Sequence, residues 1–251
     1  MDSPDLLGFV DVMDRFGARA CPAPSTRRPD FLVLGERFEQ ALLYAAAAHR
    51  QQPRKGTGAP YLSHLLAVTS IVLTYGGDED QPIAGLLHDT VEDCGTEHEP
   101  VIAELFGDEV LRLVLACTDA RVPGGQAKGA WRERKEQYLQ HLRELGAGDP
   151  ALLVSCADKL HNAQSMAADL DTLGFELWER FPGKTPDDHL WYYGTLSDTF
   201  DELMPGPLAH RLTVTVDAMA ATHWRLMFEA GEPGEGEAID LSDPGDPDDP
   251  A

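Results

Sequence analysis

The sequence predicts an all-α fold, and three observations carry that expectation. Apolar residues recur three and four positions apart over long stretches, the pattern of helices that bury one face. Alternating stretches of strand length are lacking outside Thr213-Val214-Thr215-Val216. The periodic segments are separated by Gly and Pro, the strongest local turn signals.

In chain order, residues 1–30 are broken by Pro4, Pro22, Pro24 and Pro29 and are expected to be irregular, with only Leu6–Phe16 suited to a short helix. An Ala- and Leu-rich helix is predicted from Glu36 to Arg50, followed by a Pro/Gly/basic loop from Gln51 to Pro60. A second helix runs from Tyr61 to Tyr75 and stops at Gly76-Gly77. The next begins near Pro82 and carries Leu86-Leu87-His88-Asp89-Thr90-Val91-Glu92-Asp93. Further helices are expected over 98–106, 108–119, 130–145, 149–172, 186–204 and 206–230, the last against the strand propensity of Thr213–Val216. Residues 31–230 form one domain with ample material for a core. Residues 231–251, mostly Pro, Gly, Asp and Glu, are predicted to be disordered, and no internal repeat is present.

The formal net charge is -23. Eight acidic residues and no Lys or Arg lie from Glu232 onward, yet the remainder is still strongly acidic. Such a field repels polyanions, so binding along a nucleic-acid backbone is not expected. The start of the chain has no basic and apolar leader, and no uncharged apolar run reaches membrane-spanning length. Cys21, Cys94, Cys117 and Cys156 are scattered, as for reduced thiols in a cytoplasmic protein.

The richest segment is residues 86–93. On a continuous helix His88 would stack on Glu92, and Asp89 on Asp93. Three carboxylates crowded beside core residues repel one another, and a divalent cation removes that repulsion. Two other residues suit the same ion. His64 lies within Leu62-Ser63-His64-Leu65-Leu66, and Asp158 directly follows the apolar run Leu152–Ala157. Taken singly, His64 reads as a satisfied core histidine, and Asp158 as a helix cap or a partner of Lys159. Together, His64, His88, Asp89 and Asp158 offer two nitrogens and two oxygens, a set that suits Mn, Fe or Zn.

The ordered set His64, His88-Asp89 and Asp158 resembles the H…HD…D signature of HD-domain metal-dependent phosphohydrolases. The HDxxED form of His88–Asp93 is similar to the hydrolase domain of RelA/SpoT-type enzymes, including stand-alone small alarmone hydrolases. Two more segments agree: His49-Arg50-Gln51-Gln52-Pro53-Arg54-Lys55 running on to Pro60-Tyr61-Leu62-Ser63-His64, and Ala157-Asp158-Lys159-Leu160-His161-Asn162. The resemblance covers about residues 36–200. It implies an HD-type helical bundle of about eight to ten helices that removes the 3′-diphosphate of ppGpp and pppGpp with Mn2+, or another divalent metal, in stringent-response metabolism.

The same resemblance implies residue roles. His64, His88, Asp89 and Asp158 hold the metal, while Glu92 and Asp93 orient the attacking water and take its proton. Arg54 and Lys55 contact the substrate's phosphates or base. Asn162 matches a ribose-contacting position, Ser165 stands where the family usually has Thr, and Tyr193 or its neighbour Tyr192 meets the nucleoside. The basic residues Arg132, Arg134 and Lys135 form a helical patch that reads as a solvated face, with contact to the distal phosphates as the alternative. Gln164, where the family often has Arg, together with Pro53 and Gly56-Thr57-Gly58, departs from the pattern near the substrate.

The partner expected is a small nucleotide, with oligomeric state left open. Two alternatives accompany the guanosine-alarmone reading. One is an HD phosphohydrolase acting on NADPH or an adenosine alarmone; the other is a non-catalytic nucleotide-binding regulator.

Overall fold

A computed structural model describes residues 32–118 and 130–231 of the chain. Every regular element among them is helical, and the sole β-feature is an isolated bridge between Pro53 and Pro60. The expected Leu6–Phe16 helix, Cys21 and the acidic tail from Glu232 lie outside the described residues.

The helices are α1 (Glu36–Ala48), α2 (Leu62–Tyr75), α3 (Asp80–Leu87), α4 (Thr90–Cys94), α5 (His98–Phe106), α6 (Asp108–Cys117), α7 (Trp131–Leu145), α8 (Ala151–Leu173), α9 (Pro186–Leu203) and α10 (Pro207–Ala230). A 3-10 helix, Gly174–Arg180, links α8 to the segment before α9 and has no counterpart in the sequence reading. The punctuation follows local chemistry. Gly76 ends α2 at φ 108, a conformation costly for any residue with a Cβ. Thr185 and Asp188 close a reciprocal capping box at the start of α9, and Pro186 fills its first turn. The stretch Thr213–Val216 is helical within α10, where burial of Leu212, Val216 and Met219 along one face overrides β-branched propensity.

Helix α8 organises the core. Leu152 and the run from Val154 to Leu160 are buried together, so this half of the helix is enclosed on every side. It packs against α2, α3, α6, α7, α9 and α10. Gly85 lets α3 approach α2 closely, since a Cβ there would lie 3.3 Å from Thr69 Oγ1. These contacts bring the first turn of α2, the end of α3 and the middle of α8 to one point.

Two local expectations need correction. The helix expected to continue from Pro82 through Asp93 is interrupted at His88 and Asp89, so Asp89 precedes the five-residue α4. Glu92 and Asp93 therefore lie in the first turn of a very short helix. Helix α1 ends at Ala48, and His49 leaves it as the C-cap with its ring turned inward. No described helix is long and apolar enough to cross a membrane. Cys94, Cys117 and Cys156 are free thiols.

Candidate metal centre and substrate cleft

Four polar side chains converge where α2, the α3–α4 junction and α8 meet. His64, His88 and Asp158 are buried, and Asp89 is nearly so. His64 Nε2 lies 3.1 Å from Asp158 Oδ1 and 3.4 Å from Asp89 Oδ2. His88 Nε2 lies 3.1 Å from Asp89 Oδ2 and 3.6 Å from Asp158 Oδ1. His64, His88 and Asp89 each present an atom that could hold a metal ion, all within 4.8 Å of one another.

Neighbouring groups set the direction of each ring. His88 Nδ1 is 2.9 Å from the Gly85 carbonyl, which can only accept, so Nδ1 carries the proton. In the neutral ring its Nε2 is then a bare lone pair, buried without a hydrogen-bond partner and facing two carboxylates. Lone pair against lone pair in a dry pocket is repulsive. A cation resolves it, and a histidine whose other nitrogen donates to a carbonyl is oriented as metal ligands usually are. His64 Nδ1 meets His161 Nδ1 at 2.7 Å. Burial, with His64 and Arg54 adding, pushes His161 down to about 4, so near neutral pH it accepts from His64 and frees His64 Nε2 for the cluster. The residues present thus fit a divalent cation.

Without one, proton and charge sharing does the balancing. Burial lowers the His88 pKa, but Asp89 and Asp158 outweigh it and hold the ring well above its usual value. Burial alone would raise both carboxyls. His88, with His64, holds Asp89 well below the carboxylate range, and Lys159 with both imidazoles does the same for Asp158. Asp158 splits its two oxygens: Oδ2 receives the buried Lys159 ammonium at 2.6 Å, and Oδ1 receives Asn162 Nδ2 at 2.6 Å beside the imidazoles. The pairing with Lys159 and the convergence on His64 and His88 are both realised, one on each oxygen. Tyr61, which precedes α2, donates its hydroxyl to Asp89 Oδ2 at 2.5 Å.

A cleft of about 410 Å³ opens beside the cluster. Glu92 and Asp93 line it, as do Arg54, Lys55, Asn162, Ser165 and Tyr193. All seven residues assigned from sequence to water activation or substrate binding therefore share one cavity. Tyr192 is not part of its lining, which separates the two tyrosines. Burial pushes the Tyr193 hydroxyl up to about 12, so it stays protonated near neutral pH. Asn162 joins the two regions, accepting from Arg54 Nη2 at 3.2 Å while donating to Asp158. Ser165 donates to the His161 carbonyl at 2.9 Å.

Lys135, for which a solvated face was preferred over a phosphate contact, lines the cleft, so α7 contributes a cation to it. Other lining residues were missed by the sequence reading. Arg180, on the 3-10 helix, lines the opposite part and pairs with Asp169 at 2.6 Å. Its guanidinium lies so near Gly56 (φ 83) that a Cβ there would fall 2.3 Å from Nε. Four basic side chains thus collect in one cavity of a chain whose net charge is -23. Gln164 does not line the cleft. Arg180 gave no signal because nothing local marks a 3-10 turn as part of a distant cavity. The signal for Gln52 and His49 was present in the basic loop segment, but no role had been attached to them.

Comparison with known proteins gives the family of the chain. The HD-domain family pattern matches residues 41–181. A GTP pyrophosphokinase of Myxococcus xanthus is 34% identical over 74% of this chain, which spans 23% of that relative's length. The guanosine-3′,5′-bis(diphosphate) 3′-pyrophosphohydrolase MESH1 of Xenopus tropicalis is 35% identical over 51% of this chain and 68% of its own length. A solved metazoan orthologue of SpoT, described as hydrolysing ppGpp, superposes with a TM-score of 0.52 at 27% identity, covering 80% of this chain and 99% of the other.

Proposed function

Because the chain belongs to the HD-domain family, and shares that family with MESH1, we propose that it hydrolyses the 3′-diphosphate of ppGpp and pppGpp to GDP or GTP and pyrophosphate, using Mn2+. One observation carries the reading. The buried His88 Nε2, facing two carboxylates, sits beside a cleft that joins three further carboxylates to four basic side chains. His64, His88, Asp89 and Asp158 hold the metal, with other divalent ions as substitutes. Bound there, the cation supplies Lewis acidity, screening phosphate charge and making water a competent nucleophile near neutral pH.

The protein's own groups do the rest. Glu92 and Asp93 orient the attacking water and accept its proton. Arg54 and Lys55 hold phosphates, Asn162 and Ser165 face the ribose, and Tyr193 presents its ring to the nucleoside. The water oxygen joins phosphorus, the P–O3′ bond breaks, and the 3′ oxygen leaves with the proton that the carboxylate pair took from the water. Screening by the basic residues of the cleft offsets the repulsion that a strongly acidic chain exerts on an anionic nucleotide.

Incubating the purified chain with Mn2+ and ppGpp should release pyrophosphate and GDP. Orthophosphate released from NADPH, with ppGpp untouched, would move the assignment to another phosphorylated nucleotide. Alarmone binding without turnover under any divalent metal would make the protein a regulator.

A further inference from the structure

We infer that Thr90, His49 and Gln52 form a directional hydrogen-bond chain that holds Asp93 in place, making His49 and Gln52 positioning residues for the reaction. The inference rests on the reading of Asp93 as a water-orienting carboxylate. Gln52 Nε2 donates to Asp93 Oδ2 at 2.7 Å. A carboxylate only accepts, so the amide nitrogen must face Asp93 and the amide oxygen must face away. That oxygen lies 2.6 Å from His49 Nδ1, which therefore carries a proton. In the neutral ring Nε2 then accepts from the Thr90 hydroxyl, 3.4 Å away and fully buried. Every link points the same way and ends on the carboxylate, so each bond polarises the next.

The chain is anchored on the metal side as well. His49 is 2% exposed, and its ring stacks on Tyr61 with centroids 5.3 Å apart. Tyr61 in turn donates to Asp89. Thr90 lies between Asp89 and the carboxylate pair, so ligand and water-activating groups hang from one buried frame. The choice of an amide has a chemical reason. A Lys or Arg at position 52 would neutralise Asp93 and make it a poorer proton acceptor. An amide holds Asp93 Oδ2 without neutralising the carboxylate.

Three variants test this in the full chain: Gln52→Ala, Gln52→Glu and Asp93→Asn, each measured for kcat, KM and Mn2+ affinity by calorimetry. Gln52→Ala should lower kcat by about tenfold, the effect of one hydrogen bond to a charged group, with KM and Mn2+ affinity unchanged. Gln52→Glu keeps the shape and the acceptor for His49 but turns a carboxylate on Asp93, so it should lose at least as much. If Gln52 merely tied down its loop, the isosteric Glu would preserve kcat, and that result overturns the inference. A change confined to KM overturns it too. Full turnover in Asp93→Asn overturns the role of Asp93 itself. An inactive Asp93→Asn beside a wild-type Gln52→Ala removes the chain and leaves the function standing.

Discussion

The buried ligand cluster and the open cleft share helix α8 but are built by opposite means. In the cluster, side chains sit on helices or directly at their ends. His64, His88 and Asp158 are at most 4% exposed, and each polar atom is aimed by a neighbour such as the Gly85 carbonyl, His161, Lys159 or Tyr61. In the cleft, charged groups come from the 51–60 loop, α4, α7, the far half of α8 and the 3-10 helix, and Lys55 and Asp93 are exposed. A buried charge is costly unless it is paired, so the cluster tolerates little change. Charges in water are weakly coupled to stability and can be exchanged with little effect on the fold. Chemistry is thereby tied to the scaffold, whereas substrate preference is carried by parts that can vary.

Substitutions can break or sharpen that contrast. The largest effect belongs to Asp89→Ala, which should abolish Mn2+ binding in calorimetry and turnover with it, since the remaining imidazoles lose a charged co-ligand and their tyrosine-held partner. Glu92→Ala should leave Mn2+ affinity intact and lower kcat by about a hundredfold or more, as expected of a lost general base. Equal loss of metal in both variants would erase the division between ligands and water-directing groups. Lys159→Met removes the ammonium that holds Asp158 ionised, and should weaken Mn2+ binding by about tenfold, the scale of an outer-shell ligand partner. Arg54→Ala, in the cleft, should raise KM by about tenfold and leave kcat and metal binding nearly unchanged.

The smallest effect concerns stability behind the cleft wall. His189 packs among Trp178, Phe181 and Trp131, and burial pushes it down to about 4. The unfolded chain therefore binds this proton more readily than the folded one between pH 4 and about 6.5, and stability falls as pH drops through that window. His189→Phe should flatten the fall by about 2 kcal/mol in denaturant titrations at pH 4. An unchanged acid slope would assign the sensitivity elsewhere.

The sequence made the fold legible wherever backbone chemistry is local. Gly76 and Pro186 mark helix ends that the structure reproduces. His64 and Asp158 stood out because polar residues inside apolar runs need a reason to be buried. What escaped was long-range or subtle. The turn at His88 and Asp89 arises because Asp89 is drawn to Tyr61 and the two imidazoles, none of which is local in sequence except His88. Arg180 reaches the cleft only because the 3-10 helix packs against α8. Gln52 is one polar residue among several in its loop by sequence, and its role rests on the amide bridging His49 and Asp93.

Helix α8 also acts as a ruler. Asp158 lies at the ligand cluster, and Asn162, Ser165 and Asp169 follow along the cleft at steps of four, three and four residues. Those steps keep one stripe of the helix facing the cavity, and at 1.5 Å per residue they span roughly 16 Å from Asp158 to the Asp169–Arg180 pair. The gap between the reacting end of a bound molecule and its far end is therefore measured in helical turns, not in flexible loop. Inserting a single residue after Asp158 would rotate everything beyond it by about 100°, leaving the cluster whole but the graduations facing the wrong way.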